Sequence, residues 1–485
     1  MNQPRSFFRD VVENSGLLGA TSVVVRLTGI AFLVAIVRGG GTGAAGSYGI
    51  AVLVGTMGGF AFSLGLGTYC TRSFSIGEMI GQEVRAIHRL RAFAMLGATA
   101  LLLAATPLLA PSWRVGFLLT AASVFVDQWN ETGWVICRGM GRTVVEARAD
   151  LVTNVALFGV ALASVVMGRG LRFDVAGALL LATALARSAV AMRLVGSFPT
   201  MKWSDLLPVA GQHLRAALPY CASDMLGLAY LRGDTLVLAA FASSTVVGAY
   251  VAANALVGPL VQVAAMMGVA SLALMGRYRR EGARNPDQAE TAVQHRALIA
   301  LFAASGGAVA AALIVGLWIG TPLLFSSQVT AIRLLGVVLA LFLPLRFANF
   351  ALSAVLLAQG GAVRRLVIVA GSTLVNIVMN LAMDGRLAAF GAAWGTVLTE
   401  VVVTVLLARS LPMDDGLAPL LGVGGSVVAA SAWLAIAMRG HHPLVYVLAP
   451  TVTIVLAGGA VCAVMAVRLL RNPSTRDPAL IGEMA

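Results

Sequence analysis

Apolar residues gather into about fourteen stretches, each near the roughly 20 residues a helix needs to cross a bilayer. They fall at 15–37, 45–69, 92–110, 115–137, 145–167, 173–195, 216–241, 245–274, 297–318, 329–350, 366–383, 388–408, 417–438 and 444–468. Short connections at 39–44, 111–114, 168–172, 242–244, 319–328, 384–387 and 439–443 alternate with longer, arginine-bearing ones. Of the latter, 71–91 holds four arginines and 276–296 holds five. With the amino terminus inside, about 24 of the 34 Lys and Arg fall in cytoplasmic segments, the bias that fixes membrane orientation. The pattern predicts an all-α integral membrane protein of about 14 transmembrane helices with both termini cytoplasmic. Segment 201–215 mixes polar and apolar residues around Trp203 and reads as a helix lying in the membrane interface ahead of the seventh span, with a plain loop as the alternative.

The spans repeat. The second opens with Gly46-Ser47-Tyr48 and the eighth with Gly248-Ala249-Tyr250. The fourth runs into Gly139-Met140-Gly141 and the fifth carries Asn154; the tenth runs into Gln359-Gly360-Gly361 and the eleventh carries Asn376. Both matches are shifted by six spans, and an even shift starts each half on the same side of the membrane. The expected architecture is two parallel six-helix bundles related by a pseudo-twofold along the membrane normal, plus two extra C-terminal helices. The domains are then 1–200, 201–410 with its preceding interfacial helix, and 411–485 with two further spans and a cytoplasmic tail.

At 59% apolar and 11% charged residues, a water-soluble core of this size is excluded. The formal charge of +13 is dispersed among loops without interleaved aromatics, which argues against nucleic acid and for the anionic lipid surface as partner. Lys202 is the only lysine, and the Arg, Ala and Gly bias fits a GC-rich bacterial genome. Cys70, Cys137, Cys221 and Cys462 lack CxxC spacing and read as small buried side chains. Arg5 and Arg9 precede a span too long for a signal-peptide core, so the first span is expected to remain as an anchor. No cofactor or metal site is expected; exposed His441 and His442 are the bland reading of that pair.

Three stretches resemble one known family. Leu231-Arg232-Gly233-Asp234-Thr235-Leu236 followed by Val247-Gly248-Ala249-Tyr250 is similar to the seventh and eighth helices of Wzx-type polysaccharide flippases, in the multidrug/oligosaccharidyl-lipid/polysaccharide exporter (MOP) superfamily. Val25-Arg26-Leu27-Thr28-Gly29, Gly46-Ser47-Tyr48-Gly49 and Gly65-Leu66-Gly67-Thr68 resemble its first two helices. Leu374-Val375-Asn376, Asn380-Leu381 and Phe390-Gly391-Ala392-Ala393-Trp394-Gly395-Thr396 resemble its eleventh and twelfth. The similarity covers roughly 14–410. It implies a flippase carrying undecaprenyl-diphosphate-linked oligosaccharide repeat units from the cytoplasmic to the periplasmic leaflet of the bacterial inner membrane, for O-antigen, capsule or exopolysaccharide made by a polysaccharide polymerase. Related members flip lipid II or export drugs.

A diphosphate cannot cross about 30 Å of hydrocarbon unpaired, so the transporter needs cations in a hydrated cavity. Arginine suits because its planar fork grips phosphate and stays protonated. Arg26, near the middle of the first span, leads the candidates, and the resemblance places it among arginines lining the family's cationic cavity. Its alternative is a structural ion pair with Asp127 or Glu131. Arg232 and Arg346 follow. Asp127 and Glu131 on the fourth span sit at i and i+4, on one helix face, where mutual repulsion raises one carboxyl toward a proton-coupling role; pairing with Arg26 or Arg138 is the alternative. Asp234, Asn376, Asn380 and Thr396 share a depth in the outer half, and by resemblance such a set binds Na+. Asn380 stands where that pattern has a second carboxylate, which counts against Na+; H+ and Na+ both remain open as coupling ion, and Asp234 charge-balanced by Arg232 alone is the alternative. Asn154, Asn254 and Asn349 read as interhelical hydrogen-bonding groups.

A drug exporter of the same fold is the main competitor, and central arginines argue against cationic cargo. A membrane enzyme needs a sizeable external loop or a catalytic motif, and neither is visible.

Overall fold

The computed structural model describes residues 4–411, apart from 76–79, 140–142, 197–198, 200–201, 282–287 and 326–327. The thirteenth and fourteenth expected spans, with His441 and His442, lie outside the described residues. Those described are helical almost throughout. In chain order the helices are α1 (Pro4–Ser63), α2 (Leu66–Ser75), α3 (Gly81–Ala105), α4 (Arg114–Gly139), α5 (Thr143–Val166), α6 (Phe173–Gly196), α7 (Trp203–Phe241), α8 (Ser244–Glu281), α9 (Gln288–Leu324), α10 (Val329–Ala340), α11 (Leu343–Ala358), α12 (Ala362–Leu387) and α13 (Ala389–Arg409). Each of the first twelve expected spans overlaps a helix. Among the described residues, nine helical segments are long and apolar enough to cross a membrane, and the chain is a multi-pass membrane protein. α4 and α7 are long enough too, but more polar: they carry Asp127, Glu131, Asp224, Arg232 and Asp234.

α1 holds two arms. Gly41, with φ 73° and ψ −177°, is its one non-helical residue, and that positive φ is cheap only for glycine. Sixteen residues of straight helix would separate Phe32 from Tyr48 by about 24 Å. Their ring centroids are 6.2 Å apart, so the chain doubles back, as the short connection expected at 39–44 requires. Beyond the bend, the second arm lies against the start of α8. A Cβ on Gly46 would overlap the Ser244 carbonyl, and one on Gly248 would overlap the Thr42 carbonyl.

Other boundaries moved inward or outward for physical reasons. The expected separate helix at 201–215 is the beginning of α7, which continues through Pro208 and Pro219 to a length of 39 residues. At about 1.5 Å per residue it is roughly twice as long as the hydrocarbon is thick, so its polar first part extends beyond the apolar layer. α3 begins at Gly81, where the Glu83 carboxylate accepts the Ile80 N–H at 3.0 Å. Arg85, Arg89 and Arg91 therefore ride on a helix, not in a loop. The tenth span breaks at Leu341–Phe342, and Pro344, lacking an N–H, sits in the first turn of α11.

The described chain divides into two compact units. The first takes in the described residues up to Leu256 with Leu323–Ile332 and Asn380–Ala389. The second takes in Val257–Pro322, Arg333–Met379 and the described residues from Phe390 onward. In the first, α4 packs along α6, and α1 packs along α5 and α4. Its core joins Leu66 and Cys70 of α2 to Val84 and Ile87 of α3, Val135 of α4, Val195 of α6 and Ala217 of α7. A second cluster, around Phe117, Phe125 and Phe173, closes α3, α4 and α6 against α1. In the second unit α10 and α11 are buried almost throughout, including Leu335, Val338, Leu345, Phe347 and Leu352.

Candidate functional site

Arg26 lies on the first arm of α1, and its side chain is exposed, as is that of Arg232 on α7. The two positive charges are within electrostatic reach of each other, and Arg232 also acts on the half-buried Tyr48 of the second arm. Three residues from distant parts of the sequence thus gather on the first unit: two guanidinium groups and a phenol. The α1 bend brings Tyr48 back toward Phe32, about two turns beyond Arg26, and α7 supplies Arg232. Because arginine offers five N–H donors in a fixed fork, such a pair can engage several phosphate oxygens at once.

Several further polar groups within the spans pair with one another across helices. Asp127 accepts Arg187 Nη2 of α6 at 2.5 Å, and Arg187 Nη1 also donates to Asp150 Oδ1 of α5 at 3.2 Å. Glu131, one turn on, faces Arg91 of α3 electrostatically. Arg91 is 1% exposed; it donates to Thr132 Oγ1 at 2.7 Å and to the Gln128 carbonyl. The two acids share a helix side, as their spacing indicates, and each meets an arginine from a neighbouring helix. Arg346, in the first turn of α11, donates from Nη1 to Glu400 Oε1 of α13 at 2.6 Å. Asn349 Nδ2 donates to Glu400 Oε2 at 2.8 Å. Glu400 is buried, and the Arg346 side chain is largely covered.

Asp234 is buried on α7. Its carboxylate accepts the Thr235 N–H at 2.6 Å, the Thr235 hydroxyl at 3.2 Å and the Tyr250 hydroxyl of α8. Arg232, two residues earlier, projects from a different side of the helix. In the second unit Asn376 Nδ2 of α12 donates to Thr399 Oγ1 of α13 at 3.1 Å. Thr396, one turn before Thr399, donates to the Ala392 carbonyl of its own helix at 3.1 Å. Asn380 is fully buried. Within that unit Asn376 thus meets α13 through Thr399.

Sequence reasoning missed Arg91, Arg187 and Glu400. Each carried a visible signal. Glu400 and Arg187 sit mid-span, where an ionisable residue is costly and has a partner by default. Arg91 was hidden by placing the start of α3 too late.

No protein-family model matches the sequence, and no curated protein matches it either. Solved structures do. An inward closed form of the lipid II flippase MurJ superposes with TM-score 0.66 at 11% identity, covering 95% of this chain and all of that one. The chain is similar to that flippase in fold. An inward-facing multidrug resistance MATE family transporter of the MOP superfamily gives TM-score 0.59 at 16% identity over 80% of this chain and 93% of its own. A MOP transporter from Pyrococcus furiosus, whose binding pocket is described as reversed in polarity, gives 0.53 at 17% identity, covering 82% of this chain and 95% of that one.

Proposed function

We propose that this protein flips undecaprenyl-diphosphate-linked oligosaccharide repeat units from the cytoplasmic to the periplasmic leaflet by alternating access, its two repeats rocking about a central cavity. The observation that carries the reading is the Arg26–Arg232 pair, two exposed like charges on α1 and α7 within electrostatic reach. Like charges repel in a low-dielectric setting. A dianion between them converts that repulsion into two attractions, and a diphosphate is such a dianion. The MurJ-like fold, shared with a protein that handles a lipid-linked substrate, supports the same reading. Organic cations, the cargo expected of a drug exporter, gain nothing from two guanidinium groups.

Lipid II is the alternative cargo, since its diphosphate would suit the same pair. Asp234, held by hydroxyl and amide donors, is the group we favour for proton or sodium coupling. Asn376, Asn380 and Thr396 remain further candidates for that role. Arg346 is left out of the diphosphate site, because its guanidinium is already committed to Glu400.

The test is genetic and chemical. Deletion should cause a lipid-linked oligosaccharide to accumulate, and its sugars name the cargo; a pentapeptide-bearing intermediate would instead assign lipid II. Arg26→Ala should abolish export at normal protein level, and Arg26→Lys should keep part of it. Full export by the alanine variant would sink the reading.

A further inference from the structure

We propose that the chain carries one interhelical clamp built twice with its charges exchanged, and that Asp127, Arg187, Arg346 and Glu400 are positioning residues rather than ligands for cargo or coupling ion. In the first copy an acid on the fourth span, Asp127, meets a base on the sixth, Arg187, at 2.5 Å. In the second a base on the tenth span, Arg346, meets an acid on the twelfth, Glu400, at 2.6 Å. Asp127 and Arg346 are 219 positions apart in the sequence, and so are Asn130 and Asn349, one turn further along the same helices.

The asparagine is what makes the exchange possible. A primary amide both donates and accepts. Asn130 accepts the Ser188 hydroxyl at 2.8 Å through Oδ1 and donates to the Ala184 carbonyl of α6 at 3.2 Å. Asn349 donates to Glu400 Oε2 at 2.8 Å. An amide one turn from the charged residue therefore serves the partner helix in both copies, whichever sign that helix carries. The helix relationship is the same each time, fourth to sixth and tenth to twelfth. Two ion pairs placed by chance would not share both a residue spacing and a helix shift. A clamp within each repeat lets that repeat move without shearing internally.

The inference goes beyond the flippase reading, and its first readout does not need it. The second copy is the one to test, because changing Arg187 would also disturb Asp150. In the full-length protein, Arg346→Glu and Glu400→Arg alone each place like charges together and should lower the detergent melting temperature by more than about 5 °C. Combined, they recreate the polarity of the first copy and should recover at least half of that loss, with glycan export returning alongside. An apolar variant, Arg346→Met with Glu400→Met, should fold and retain export, since a buried pair replaced by apolar groups of similar volume is tolerated. A combined swap no more stable than the worse single variant overturns the clamp. Export lost from a well-folded swap or apolar variant overturns the positioning role. If the unmodified protein moves no lipid-linked glycan, the functional reading fails while the melting series still judges the clamp.

Discussion

Gly46 and Gly248 approach each other through a reciprocal contact. The Ser244 carbonyl occupies the place of a Cβ on Gly46, and the Thr42 carbonyl occupies the place of a Cβ on Gly248. Residues 42 and 244, and residues 46 and 248, are each 202 positions apart. When residue i meets j' and j meets i', the contact is isologous, the signature of a local twofold. The same shift relates Phe32 and Tyr48, in ring contact, to Asp234 and Tyr250, in hydrogen bond. Symmetry makes a quantitative demand: Gly46→Ala and Gly248→Ala should be alike in effect. Each should cost about 1–3 kcal/mol from overpacking against a carbonyl. The double variant should cost less than their sum, because the first displacement already opens the shared space. Gly97→Ala on α3, with open space around it, is the control and should be neutral or slightly stabilising. Thermal melts of purified protein in one detergent decide the comparison.

Arg91 offers a separate test of how buried charge is held. Its guanidinium is enclosed by Thr132, the Gln128 carbonyl and the field of Glu131. Arg91→Met should cost about 3–5 kcal/mol, because it leaves Glu131 with less cationic compensation in a low-dielectric setting. Adding Glu131→Gln should recover part of that loss. A Glu131→Gln change that deepens the defect would mean that Arg91 is held by its hydrogen bonds and not by the acid.

The sequence announced the spans because lipid imposes a pattern strong enough to read without tertiary contacts. It announced the bend at 39–44. It was weaker on pairings. The fourth span shows that Asp127 and Glu131 share a side but not which cations reach them, since Arg187 and Arg91 lie 60 and 40 positions away and come together only when α6 and α3 pack on α4. Arg346 looked available for cargo because Glu400, 54 positions on, pairs with it only through the packing of α11 and α13. Helix ends were misplaced where amphipathic segments, 81–91 and 203–215, continue a span into a polar setting. There propensity carries on after hydropathy has stopped.

Asp234 and Tyr250 separate folding from coupling. In the first hairpin the position matching Asp234 is Phe32, so a carboxylate is not needed to build the bend. Tyr250→Phe should cost about 1–3 kcal/mol, because a buried carboxylate loses a donor. Asp234→Asn keeps the shape and an acceptor, and should leave the melting temperature within about 2 °C of the original. If Asp234 couples transport to an ion, export by that variant should fall at least about tenfold, equivalent to about 1.4 kcal/mol. Unchanged export from Asp234→Asn would remove this residue from the coupling path and leave it a structural partner of Tyr250.

The decisive test of the cation pair is to supply its counter-ion from within. If the pair holds a diphosphate, Arg232→Ala removes one of its two charges and should weaken export. Arg232→Glu does more: it places a carboxylate within electrostatic reach of Arg26, where it mimics bound anion. The protein should then be at least as heat-stable as the alanine variant, since the carboxylate adds an attraction to Arg26 that alanine lacks. Its export should be lower than that of Arg232→Ala, because cargo must displace an anion the protein carries itself. Measuring melting temperature and lipid-linked glycan turnover side by side gives two opposite orderings of the same two variants. If Arg232→Glu instead exports as well as Arg232→Ala, the charge at this position is irrelevant to cargo and the diphosphate is held elsewhere.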